Sequence, residues 1–121
     1  MAKKIMLVVT HSTDDLERSD AAMALALSLL NEGADLALFF VFQGALMVKK
    51  GVAESIHGKN FASVKDLWPE IMESNIPMYL CGACAKTYNI TEENLIPGVK
   101  IVHLTSLAGE MMGRETETAT F

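Results

Sequence analysis

Basic residues are in short supply in this chain. Ten Lys and Arg stand against fifteen Asp and Glu, for a formal charge of −5 over 121 residues. Nucleic acid and anionic membranes both call for a dense basic face, so neither is an expected partner. Long apolar runs are missing too. The longest strongly apolar stretch, Leu36 to Phe42, is far too short to span a bilayer. Ile5 to Val9 follows Lys3-Lys4 but gives way at once to Thr10-His11-Ser12 and acidic Asp14-Asp15, too short for a signal-peptide core. A cytoplasmic location is therefore expected. No Ser-His-Asp grouping, phosphate loop or dinucleotide glycine fingerprint occurs, and no internal repeat or low-complexity linker. Only two cysteines are present, which in a non-secreted chain argues for redox, sulfur or metal chemistry rather than a disulfide framework.

Half of the residues are hydrophobic, enough for one domain, 1–121, with elements buried on both faces. The eight methionines read first as adaptable core filler and second as a sticky oligomer interface. Ile5-Met6-Leu7-Val8-Val9 predicts a buried parallel strand. Asp14, with Glu17 three residues on, predicts a helix cap, and the helix runs to about Asn31 with Leu16, Met23, Leu27 and Leu30 on one stripe. Its alanines favour close approach to a sheet, and Gly33 supplies the left-handed stop. Leu36 to Phe42 predicts the second strand and Ala45 to Lys50 a short helix.

From Gly51 to Ala62 a polar loop is expected, punctuated by Gly51, Gly58 and Asn60 and holding a solvated His57. Ser63 caps a helix to about Asn75 that Pro69 threatens to break. Ile76 to Leu80 and Val99 to Leu104 complete two further strands, the second with His103 as an interior, structural histidine. Thr105 or Ser106 starts a short helix through Met112, and the threonine-rich tail 115–121 suits an exposed edge strand. Alternating strands and helices predict an α/β three-layer sandwich around a mainly parallel five-stranded sheet.

Ligands of such sheets bind at the carboxyl ends of the strands. Four ends are named by the sequence: His11-Ser12, Gln43-Gly44, Cys81-Gly82-Ala83-Cys84 and His103-Leu104. The third carries the strongest signal. Both cysteines fall where a buried strand meets a helix start, with Cys81 expected at the mouth and Cys84 one turn later on the same face. Small Gly82 and Ala83 leave amides open to an incoming anion, and such amides favour a thiolate. Lys86 adds a positive charge, and His11 is the histidine best placed as a polar site group. The candidate substrate-binding set is therefore His11, Gln43, Gly44, Gly82, Ala83 and Lys86. Three chemistries are open to the pair: sulfane-sulfur transfer, dithiol–disulfide exchange, and zinc shared with two of His11, His57 and His103. Inert buried cysteines in a non-catalytic binding or assembly module are the alternative. A single Cys-x-x-Cys lacks the ordered spacing of a zinc module, and neither metal nor cofactor is expected.

The order of these features resembles the DsrE/DsrF-like family of small sulfur-trafficking proteins, which includes TusD-like sulfur-relay members. The resemblance is carried by Lys4 to Thr10, the helix Ala21 to Leu30, Gly33-Ala34-Asp35, Phe42-Gln43-Gly44-Ala45, Met78 to Cys84 and Ile96-Pro97-Gly98-Val99. It implies a DsrE-like sandwich that forms homo-oligomers, often trimers or hexamers. It also implies a cysteine after the third strand that carries persulfide sulfur between donor and acceptor proteins. Cys81 occupies that place. Cys84 departs from the single-cysteine members and leaves open a one-thiol relay or a reversible disulfide.

Overall fold

The computed structural model describes residues 2–59, 62–113 and 115–121. Five strands, β1 (Lys4–Val9), β2 (Asp35–Phe40), β3 (Met78–Cys81), β4 (Val99–Val102) and β5 (Glu117–Thr120), alternate with helices α1 (Leu16–Asn31), α2 (Val64–Glu73), α3 (Gly82–Thr87) and α4 (Leu104–Gly113). The sheet order is β4-β3-β2-β1-β5, and all four pairings are parallel. The predicted three-layer α/β architecture is present, with a sheet parallel throughout.

Register explains the layering. Val9 pairs with Phe40 and Phe40 with Leu80, so these three side chains share a face with Leu7, Leu38 and Met78 two residues back. Helices α1 and α2 cover that face. Trp68 of α2 meets Phe40 edge to face, centroids 6.3 Å apart at 70°. The opposite face lies under α4, whose Met111 closes a small cleft with Met6, Ala37 and Tyr79. β4 and β5 are the two edges, four strand spacings or about 19 Å apart. The connection between them must cross the whole sheet, and a ten-residue helix supplies about 15 Å of that span.

Several expectations shift. Helix α1 is capped by Asp15, whose side chain accepts from Arg18 N, rather than by Asp14. Its buried residues are Ser19, Asp20, Ala22, Met23 and Ala26; of the expected stripe Met23 is buried, Leu30 packs half-buried against the core and Leu16 is exposed. Small residues and one unbranched methionine fit there because the helix lies close on the sheet. Gly33 does adopt the left-handed conformation, φ +89°. The predicted short helix after β2 begins three residues early, as a 3₁₀ helix over Phe42–Val48. The expected polar loop is anchored by a 3₁₀ turn, Ala53–Ser55, with Ala53 and Ile56 fully buried; Asn60 lies outside the described residues. Helix α2 passes through Pro69 without breaking, because Val64, Trp68 and Ile71 pin it to the core on both sides. Strand β4 ends at Val102, so His103 is an exposed junction residue and not an interior one. The methionines divide as core filler: Met6, Met23, Met47 and Met78 are buried, and Met112 is exposed.

Candidate functional site at the carboxyl rim

With this strand order, the carboxyl ends line up as β4, β3, β2, β1, bringing His103, the cysteine pair, Gln43-Gly44 and His11-Ser12 along one rim. The cysteines therefore neighbour β2 and β4. His11 sits two strands away from Cys81, about 10 Å by sheet spacing. Nothing in the topology brings its ring to the thiols.

The β2 end is built around a close approach. A Cβ on Gly44 would overlap the Val9 carbonyl oxygen and stand 3.1 Å from Thr10 N. Only glycine lets the 3₁₀ segment cross the end of β1 so tightly. Ser12, fully buried, ties the same junction by donating its hydroxyl to the Gln43 carbonyl at 2.7 Å. Gln43 thus meets β1 through its backbone, and its side chain is half-buried. His11 is held locally, with Nδ1 2.8 Å from Asp14 Oδ2. Burial works to raise the Asp14 pKa. The Ser12 amide, His11 and the Asp14 amide outweigh it and hold the carboxyl below its ordinary value.

Cys81 is at once the last residue of β3 and the cap of α3, and it makes no side-chain capping hydrogen bond. Gly82 follows where a Cβ would be 3.3 Å from Val102 O, so β3 and β4 stay close at the turn. Both thiols are free and buried, Cys81 at 3 % and Cys84 at 9 % exposure. Cys81 therefore lies beneath the mouth rather than in it. A thiol sulfur also meets an amide from outside the Cys-x-x-Cys turn: Phe42 N donates to Cys84 Sγ at 3.1 Å.

Phe42 makes that bond from a left-handed backbone, φ +56°, with its ring 64 % exposed. Such a conformation costs a non-glycine residue about 1–2 kcal/mol. The Cys84 thiol is pushed up in pKa by burial; the Phe42 amide opposes this, and the hydrogen-bonded Cys81 side chain adds to it. Cys84 thus holds its proton beside the Cys81 sulfur. Phe42 is a site residue the sequence did not announce, since its contact spans 42 positions.

Outside the pair, Gly82, Ala83 and exposed Lys86 line an open depression of about 410 Å³ with Ile101 and His103. His103 joins the candidate set here as the β4 contribution. Asp20 was also missed. Fully buried in α1, it accepts Val64 N on Oδ1 at 2.7 Å and Gly58 N on Oδ2, clamping Gly58 and Val64 to the helix. Among the described residues no group of three His, Cys, Asp or Glu side chains is placed to hold a metal ion.

A family model for the DsrE/DsrF-like family matches residues 3–112. The chain belongs to that family. Two relatives bear names that assign no function. MK0008 of Methanopyrus kandleri is 26% identical over 103 residues, spanning 85% of this chain and 82% of its own. MJ0989 of Methanocaldococcus jannaschii is 27% identical over 104 residues, spanning 86% and 88%. Solved structures share the DsrE-like fold. YchN from E. coli superposes with TM-score 0.76 at 22% identity over 100% of both chains. MTH1491 from Methanobacterium thermoautotrophicum, a protein of unknown function, gives 0.76 at 10% identity over 98% and 99%.

Proposed function

We propose that this DsrE-like protein is a small sulfur carrier or sulfurtransferase in which Cys81 accepts sulfane sulfur and hands it to a partner protein. The observation that carries the reading is the site of Cys81, at the carboxyl end of β3 with a second buried thiol three residues on in α3. Sulfur relay is the chemistry that family membership suggests. In the forward step the Cys81 thiolate attacks the outer sulfur of a donor persulfide. A Cys81 persulfide forms, the donor S–S bond breaks, and the donor leaves as thiolate. The depression that starts at Gly82 is the approach, with Lys86 and His103 at its wall. Gln43 and Gly44 belong to the binding set as the β2 side of the rim, and His11 as a more distant polar group.

The protein works as a homo-oligomer, trimer or hexamer, in the cytoplasm. Exposed Phe42, Ile101 and Leu104 near the rim are the surfaces that favour assembly. No helix among the described residues is long and apolar enough to cross a membrane. The test is intact-mass analysis after exposure to a persulfide donor, with peptide mapping. One added sulfur on Cys81, absent in Cys81→Ser, is expected; equal gain in that variant contradicts the reading.

A second reading has its own observation. Both thiols are buried, which favours a non-catalytic ligand-binding or assembly module. Under it, Cys81 alkylates far more slowly than an exposed thiol and takes up no sulfur. Dithiol–disulfide oxidoreductase activity draws on the Cys81–Cys84 contact, and turnover of a disulfide substrate is its signature.

A further inference from the structure

We propose that Cys84 is a built-in discharge thiol, which attacks a persulfide on Cys81, expels its outer sulfur as sulfide and closes a Cys81–Cys84 disulfide. The proposal deepens the sulfur-carrier reading and rests on it: the persulfide must form first. It gives the site a second activity, reduction of an undelivered sulfane sulfur, and a silent state.

Three features of the site converge on this. The two buried thiols are close enough for the Cys81 side chain to help push the Cys84 pKa up. Cys81 caps α3 and Cys84 is its third residue. Positions three apart on a helix place their Cβ atoms about 5–6 Å from each other, and a disulfide needs about 3.5–4.5 Å. Because Cys81 precedes the first residue of α3, with extended backbone angles (φ −60°, ψ 125°) and no side-chain capping bond, a small backbone adjustment at Cys81 can close the gap without unwinding α3. The third feature is Phe42. Its amide points at Cys84 Sγ, where it orients the sulfur and stabilises the negative charge of an attacking thiolate. Holding that amide in place requires the left-handed backbone at Phe42. The strain sits where the chemistry needs it.

The step balances within the protein. Cys84 loses its proton to solvent, and its sulfur forms a bond to Cys81 Sγ. The bond between Cys81 Sγ and the outer sulfur breaks, and the electron pair leaves with the outer sulfur as hydrosulfide. The sulfane sulfur is reduced to sulfide while the two cysteines are oxidised to one disulfide. Reopening takes two equivalents of a thiol reductant, of low molecular weight or protein-borne. Closure turns two buried thiols into one apolar cross-link and leaves Cys81 unable to accept sulfur. A carrier with no acceptor at hand therefore empties itself and switches off.

The experiment uses the full chain as wild type, Cys84→Ser and Cys84→Ala, each loaded anaerobically with cysteine persulfide and freed of donor. Intact mass and released sulfide are followed with time. All three chains gain one sulfur on Cys81. The wild type then loses that sulfur together with two hydrogens and releases one sulfide per chain, whereas both variants hold their sulfur at least about tenfold longer, as expected when a positioned intramolecular nucleophile is removed. Wild-type persulfide that persists as long as in the variants overturns the discharge role and leaves the carrier reading standing. So does decay without a mapped Cys81–Cys84 disulfide. No sulfur on Cys81 in any chain overturns both.

Discussion

Asp20 is a side chain whose removal should cost this fold heavily for its size. Its carboxylate is fully buried, with Oδ1 accepting Val64 N at 2.7 Å and Oδ2 accepting Gly58 N. Asp20→Ala strips the partner from two backbone donors at once. A buried donor left without a partner costs about 1–3 kcal/mol; that applies in full to Val64 N and less to the half-buried Gly58 N, so the loss amounts to about 2–4 kcal/mol once the lost side-chain volume is included. Domains of this kind hold only about 5–15 kcal/mol in total, and the melting temperature should fall by roughly 10–20 °C. Asp20→Asn keeps one acceptor and turns an amide N–H toward the other donor, so it should recover no more than part of the loss. Urea unfolding gives the free energies. Hydrogen exchange adds a local readout, because the Gly58 and Val64 amides should lose protection before those of β1 and β2. An Asp20→Ala protein within about 1 kcal/mol of wild type, with both amides still protected, would refute the clamp.

Three further outcomes follow from the rim. Gly44→Ala forces a methyl into the Val9 carbonyl and should destabilise by about 3 kcal/mol or more, above the usual range for an overpacked site because the obstacle is backbone; chemical denaturation checks it, and a near-neutral result removes the close-approach argument. Phe42→Gly should be more stable than Phe42→Ala by about 1 kcal/mol, since glycine alone relieves the left-handed strain; paired melts read the difference. The third concerns acid. Asp14 has a folded pKa below its ordinary 3.8, so its stabilising contribution is complete above that value and is lost as pH falls through the lower, folded one. Asp14→Asn should therefore flatten the acid limb of the stability profile and leave the protein less stable near neutrality.

Most of the layered fold was legible because period and punctuation agree. Ile5 to Val9 and Leu36 to Phe42 are too uniformly apolar for anything but core strands, although β2 stops at Phe40 and Phe42 opens the 3₁₀ helix, and Gly33 could end α1 where few other residues can. Strand order was not legible, because parallel strands of one length and composition exchange places without changing any local signal. The fate of Pro69 depended on tertiary burial of Trp68 and Ile71, which propensity does not contain. At the site, the Cys81–Cys84 spacing was visible and their burial was not. His103 read as a strand interior because Val99 to Leu104 is apolar around it, yet α4 begins one residue later. The roles of Phe42 and Asp20 were not legible in the sequence, since each acts through a partner more than thirty positions away.

Anaerobic persulfide uptake, read residue by residue in wild type and Cys81→Ser, tests the central claim most directly. The account predicts one sulfur on Cys81 in the wild type before any discharge, and none on the remaining Cys84 of the variant. Equal labelling of the two proteins, or no labelling of the wild type, would contradict it.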